Sequence, residues 1–139
     1  MNNTVFRVFT DGASRGNPGQ AAVAFIILSD QETIEMKGSK AIGVKTNNQA
    51  EYEAVIFALD SAKQLQTRNL TCHLDSLLVV NQLNNVYKVL NPQLRQLWSQ
   101  VLERLTWYNQ VTFTHVPRDN KYIKIVDQLA NRRLDIELG

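Results

Sequence analysis

Four acidic residues stand where chemistry could be concentrated. Asp11 follows the β-rich run Val5 to Thr10 (VFRVFT), and Asp75 follows the short apolar run Leu70 to Leu74 (LTCHL). Acids at the carboxyl ends of sheet strands lie where open α/β sheets collect their ligands. Glu51 heads a stripe continued by Val55, Ala58, Ala62 and Leu65 in helical steps of four, three, four and three, so it faces a sheet and not water. Asp127 falls in the opening turn of a last helix that carries Val126, Leu129, Ala130 and Leu134. If these four meet, they repel one another. Two carboxylates ~4 Å apart cost roughly 1 kcal/mol in water and ~4 kcal/mol at an effective dielectric of 20, so the cluster needs protons or cations.

Divalent cations answer that need best. A carboxylate-rich site without Cys or paired His ligands selects Mg²⁺, with Mn²⁺ as a substitute, over Zn²⁺. Two such ions ~3.5–4 Å apart can hold an attacking water and a leaving 3′-oxygen on opposite sides of a phosphorus. The residues alone therefore point to phosphodiester hydrolysis.

The elements that must bring these acids together follow from the patterning. Val5 to Thr10 should end in an extended turn at Asp11-Gly12, continued by ASRGNPGQ. Ala21 to Leu28 is an unbroken apolar run, as expected of a strand covered on both faces, and Thr33 to Ala41 alternates like an exposed edge strand. A long helix begins at Asn47, a short strand spans Leu70 to Leu74, and Ser76 starts a helical stretch LLVVNQL. Asn91-Pro92 reads as a helix cap with proline at the first helical position, and that helix should reach about Trp107. Val111 to Val116 forms a last strand, followed by a helix ending near Leu134. The order β-β-β-α-β-α-α-β-α predicts an α/β fold with a mixed five-stranded sheet: an antiparallel three-stranded meander, then parallel fourth and fifth strands, flanked by helices.

Composition narrows the class further. A chain of 139 residues with 44% hydrophobic and 20% charged residues reads as one domain, residues 1–139, with a start and end that suit an independent protein. Fifteen Lys and Arg against thirteen Asp and Glu give a net charge of +2, so nucleic-acid binding by bulk charge is excluded and any such binding must be local. The single Cys72 gives no disulfide framework, and neither a signal segment nor a membrane-length apolar run is present, so a cytoplasmic monomer without membrane association is expected.

Four ordered segments, TDGASRGNPG from Thr10, TNNQAEYEA from Thr46, LDSLLVVNQL from Leu74 and HVPRDNKYIKIVDQLAN from His115, resemble the signature blocks of the type 1 ribonuclease H family. The resemblance covers nearly the full chain. It implies that Asp11, Glu51, Asp75 and Asp127 are the metal-binding catalytic quartet. It also implies a metal-dependent endonuclease that hydrolyses the RNA strand of an RNA–DNA hybrid, leaving 5′-phosphate and 3′-hydroxyl ends. Substrate contacts are implied at Asn17, Asn47, Asn48 and Gln49, whose amides suit the 2′-hydroxyls displayed in a shallow minor groove. Backbone amides of Gly12, Ala13 and Gly16 could approach a phosphate.

The chain departs from that pattern in four places. Leu77 stands where the family usually has Gln two positions after the third acid. Asn120 and Asp127 are seven residues apart (127 − 120) instead of four, leaving Asp119 as a rival to Asp127. No His follows His115 to play the family's mobile loop histidine, a product-release role for which Arg118 is the candidate. Asn84 to Trp98 contains only Lys88 and Arg95, so the basic protrusion of some relatives is absent. These departures define the alternative function, a catalytically weak hybrid-binding module of the same fold. A DNA junction or integration nuclease is a third reading, against which the asparagine pair weighs. His73, His115, Trp98, Trp107 and Cys72 read as structural residues.

Overall fold

The computed structural model describes residues 4–139. Five strands, β1 (Val5–Gly16), β2 (Gly19–Leu28), β3 (Ile34–Lys45), β4 (Asn69–Leu74) and β5 (Gln110–His115), form one sheet in the order β3-β2-β1-β4-β5. β1, β2 and β3 pair antiparallel, and β4 and β5 join parallel on the other side of β1. The expected mixed sheet is therefore present. Four helices flank it: α1 (Asn47–Ala62), α2 (Leu77–Leu83), α3 (Pro92–Leu105) and α4 (Lys121–Leu138).

β2 explains the layering. Phe25 and Ile27 face the core shared with α1, while Ala22, Ala24, Ile26 and Leu28 face the core shared with α4. All eight residues of Ala21 to Leu28 are buried, because the period-two alternation of a strand supplies an apolar side chain to both layers. α1 is buried on more than one stripe, since it lies between the sheet and α3; Tyr52, Val55, Ile56 and Leu59 are all shielded. A buried hydrogen bond from Tyr52 Oη to Gln82 Oε1 at 2.6 Å ties α1 to α2.

Local signals start the helices. Thr46 Oγ1 accepts from Gln49 N at 3.1 Å while Gln49 Oε1 accepts from Thr46 N at 2.8 Å, a reciprocal cap on α1. Ser76, Asn91 and Asn120 cap the other three helices, with Pro92 opening α3.

Several boundaries differ from the sequence expectation. β1 does not end at Thr10 but continues through Asp11-Gly12 to Gly16, and the chain reverses at Asn17-Pro18, a cis peptide. The reason is tertiary: β2 pairs with β1 from Arg7↔Leu28 to Gly16↔Gly19, so the turn-forming residues are held extended by a partner strand. β3 likewise extends to Lys45. α1 stops at Ala62, leaving Leu65 beyond it but packed against the core. α3 ends at Leu105, α4 continues past Leu134 to Leu138, and Asp127 lies in the second turn of α4, not the first. Among the described residues no helix is long and apolar enough to cross a membrane.

Gly12 is where α1 meets the sheet. A Cβ there would lie 2.7 Å from the Ala50 Cβ and inside contact distance of the Ala50 carbonyl, so only a glycine lets the first turn of α1 approach this closely. Replacing Gly12 with Ala should therefore destabilise the protein by about 1–3 kcal/mol, the usual cost of overpacking, and displace the start of α1. Chemical denaturation of the two proteins checks this; equal midpoints would show that the contact relaxes freely.

Candidate active site

The strand register brings the acids together. β1 and β4 run parallel with Phe9 beside His73, so two residues further along Asp11 comes beside Asp75, just past the last residue of β4. Asp11 shares its side of β1 with Phe9 and thus faces α4, whereas Gly12 faces α1. Across that bare glycine Glu51 reaches in from α1, and its Oε1 accepts from Gly12 N at 2.8 Å. Carboxylate oxygens of Asp11, Glu51 and Asp75 all lie within 4.8 Å of one another.

Burial makes this proximity costly. Asp11 and Glu51 are 6% and 8% exposed, and the Asp75 side chain 9%. Loss of water raises the pKa of Asp11, with the charges of Glu51, Asp75 and Asp127 adding to the effect. Glu51 is raised too, chiefly by its burial, while its hydrogen bonds with Asp11 and Gly12 act in the opposite direction. Glu51 Oε2 is buried without a hydrogen-bond partner. An oxygen left unpaired in an all-oxygen cluster suits a hard divalent cation, so the residues present fit the metal that the sequence implies.

Asp127 stands apart from this triad. It is exposed on α4, lines the same cavity of about 780 Å³ as the three buried acids, and is close enough to raise the pKa of Asp11. Its Oδ1 accepts from Asn131 Nδ2 at 3.2 Å, one helical turn on. Asp119, its rival, lines the cavity as well.

The remaining sequence candidates divide into two groups. Gly12, Asn47, Asn48 and Arg118 line the cavity. Arg118 is almost fully exposed and its Nε lies 3.6 Å from Asp75 Oδ2. Asn17 and Gln49 serve the scaffold beside it. Asn17 Oδ1 accepts from Asn47 N at 3.0 Å, joining the β1–β2 turn to α1, and Gln49 is engaged in the α1 cap and with Gln93 Oε1 at 3.2 Å. Sequence reasoning missed Ser14, Ser76, Lys124 and Asn131 as cavity residues. The helical spacing of Lys124 and Asn131 from Asp127, three and four residues, was the signal that could have found them.

Of the residues set aside as structural, Cys72, His73, Trp98 and Trp107 occupy such places, whereas His115 is exposed at the end of β5. Cys72 is buried and its thiol is pushed up to about 12 by burial. His73 stacks on Phe9 at 4.6 Å and is lowered to about 4, first by burial and then by Arg7. Trp98 and Trp107 pack against the core on the α1 side.

The chain has clear relatives. Residues 9–133 match the family model described as Reverse transcriptase-like. A Ribonuclease HI from Halobacterium salinarum is 41% identical over 127 residues, covering 91% of this chain and 63% of that relative. The crystal structure of RNase H1 from that archaeon superposes with a TM-score of 0.90 at 39% identity, covering 95% of this chain and 98% of the solved one. The chain belongs to the type 1 ribonuclease H family. A second structure, LC11-RNase H1 in complex with RNA/DNA hybrid, has a TM-score of 0.90 at 32% identity and covers 96% and 99% of the two chains. The chain thus spans less than two thirds of the length of the Halobacterium relative while matching nearly all of the two solved chains.

The raised carboxyls of Asp11 and Glu51 set a pH dependence. Acids that hold protons more tightly when folded than when unfolded lose stability as pH rises from the ordinary carboxylate range, near 4, through their raised folded values. In chelator, the melting temperature should fall as pH rises over this interval. Saturating Mg²⁺ should flatten the fall, and Asp11→Asn should reduce it and raise the melting temperature of the metal-free protein at neutral pH. Thermal melts across pH, with chelator and with Mg²⁺, measure all three; a metal-free protein stabilised by rising pH would contradict the electrostatic account.

Proposed function

We propose that this ribonuclease H is an endonuclease that hydrolyses the RNA strand of RNA–DNA hybrids, releasing 5′-phosphate and 3′-hydroxyl ends, with Asp11, Glu51, Asp75 and Asp127 as its metal-binding catalytic residues. The observation that carries this reading is the close triad of Asp11, Glu51 and Asp75, with Asp127 lining the same cavity. The relative seen with an RNA/DNA hybrid, LC11-RNase H1, supports the choice of substrate. Mg²⁺ is the proposed natural ion and Mn²⁺ its substitute. When bound, a pair of such ions would polarise the scissile phosphate, activate water and stabilise the leaving oxygen.

The protein's own groups have distinct tasks. Asp11 on β1 and Asp75 just past the end of β4, close together, would hold the metal. Glu51, held by the Gly12 amide with its second oxygen unpaired, would complete the coordination on one side. Asp127, outside the triad but lining the same cavity, would add a further ligand and help orient the attacking water. The amides of Asn47 and Asn48 on the cavity wall offer donors and acceptors to the minor-groove 2′-hydroxyls that distinguish RNA from DNA, with Asn17 holding the Asn47 backbone in place. Gln49 would act with them from the α1 cap, and Gly12 through its place beside Glu51. Arg118, an exposed cation beside Asp75, would draw the cut phosphate away from the site. One domain, residues 1–139, acting as a cytoplasmic monomer, suffices for these tasks.

An end-labelled hybrid, offered beside duplex DNA and duplex RNA with Mg²⁺ or chelator, tests the assignment. Only the hybrid should be cut, and only with the metal. Asp11→Asn should lower cleavage by about a hundredfold or more, as loss of a central electrostatic group does. Hybrid binding without products in either Mg²⁺ or Mn²⁺ would instead favour a recognition module.

A further inference from the structure

The segment between Asn120 and Asp127 is helix, not an enlarged loop. Asn120 caps α4 by accepting from Tyr122 N at 2.9 Å and Ile123 N at 3.2 Å, so the three residues beyond the usual four-residue spacing add nearly one helical turn ahead of Asp127. That turn carries two lysines with different surroundings. Lys121 Nζ lies 4.9 Å from the centre of the Tyr122 ring, and Lys121 does not line the active-site cavity. Lys124, three residues before Asp127 on α4, lines the cavity together with Asp11, Glu51, Asp75, Asp119 and Asp127. It is exposed, and among the described residues it makes no ion pair, even with so many carboxylates around the same space.

We propose that Lys124 is a substrate-binding residue, its ammonium contacting the RNA-strand phosphate next to the one that is cut. The proposal rests on the hybrid-cleaving reading above and adds a subsite to it. A strand whose scissile phosphate sits over the carboxylates must carry its neighbouring phosphates along the cavity wall. The carboxylates repel those neighbours, and Lys124 is a cation on that wall with its charge unspent. A lysine is a point charge without the planar fork of arginine, so it recognises phosphate without reading sequence.

Salt dependence tests this, because each phosphate that the protein ceases to neutralise takes about one from the slope of log affinity against log salt. Lys124→Met and Lys121→Met carry the same charge change one turn apart, which separates a local effect from net charge. Steady-state cleavage of a labelled RNA–DNA hybrid at fixed Mg²⁺, and fluorescence anisotropy of the same hybrid in chelator, are measured over a series of KCl concentrations. Lys124→Met should raise KM and Kd by roughly three- to tenfold at low salt, lower the slope by about one and leave kcat within about twofold, whatever the hybrid sequence. Lys121→Met should keep the wild-type slope. An unchanged slope in Lys124→Met, or an equal weakening in both variants, overturns the proposal. So does tighter Mg²⁺ binding by calorimetry with no change in slope, which would make Lys124 a counter-charge to Asp127. If wild-type protein neither binds nor cuts the hybrid, the functional reading fails with it; if wild type cuts normally and only the Lys124 prediction fails, the subsite alone is rejected.

Discussion

Like charges forced together out of water are the constraint on which the rest of this structure depends. Asp11, Glu51 and Asp75 have carboxylate oxygens within 4.8 Å of one another and are nearly buried, a placement that no chain would hold for stability. The surrounding apolar packing carries that cost. Two cores, one under α1 and one under α4, clamp the central strands from both faces, and β1 is paired with β4 up to Phe9 and with β2 through Asp11, which holds the backbone of that acid in place. A divalent cation held by these acids would relieve that repulsion, and its binding would then be linked to folding in the same site.

Gly12 connects the packing to the chemistry. Its missing side chain admits the first turn of α1, and its amide then donates to Glu51. The residue after the central aspartate thus positions an acid thirty-nine positions away in sequence. The amides of Asn17 and Gln49 act in a similar way. They fix the β1–β2 turn and the α1 cap against each other, so that Asn47 and Asn48 stand on the cavity wall.

α4 plays a different part from the strands. The triad is largely shielded from water, whereas Asp127 is exposed and held by a bond to Asn131 on its own helix. The start of α4 also places Lys124 on the cavity wall beside that fourth acid.

Much of this was legible in the residues. The apolar run Ala21 to Leu28, the stripe behind Glu51, the caps at Ser76 and Asn91-Pro92 and the four acids in ordered blocks determined the element order, the mixed sheet and the candidate quartet, because hydrophobic period and cap chemistry act locally. Asp11-Gly12 shows where that reasoning stopped. Residue types that favour a turn lie inside a continuous strand, because hydrogen bonds from β2, supplied by a segment further along the chain, outweigh local preference. The ends of α1, α3 and α4 escaped for the same reason, as neighbouring elements decide how far a helix extends. Only the tertiary structure separated the three acids that share one buried pocket from the fourth on its rim, since distance and loss of water are properties of the assembled sheet and helices and not of any stretch of sequence.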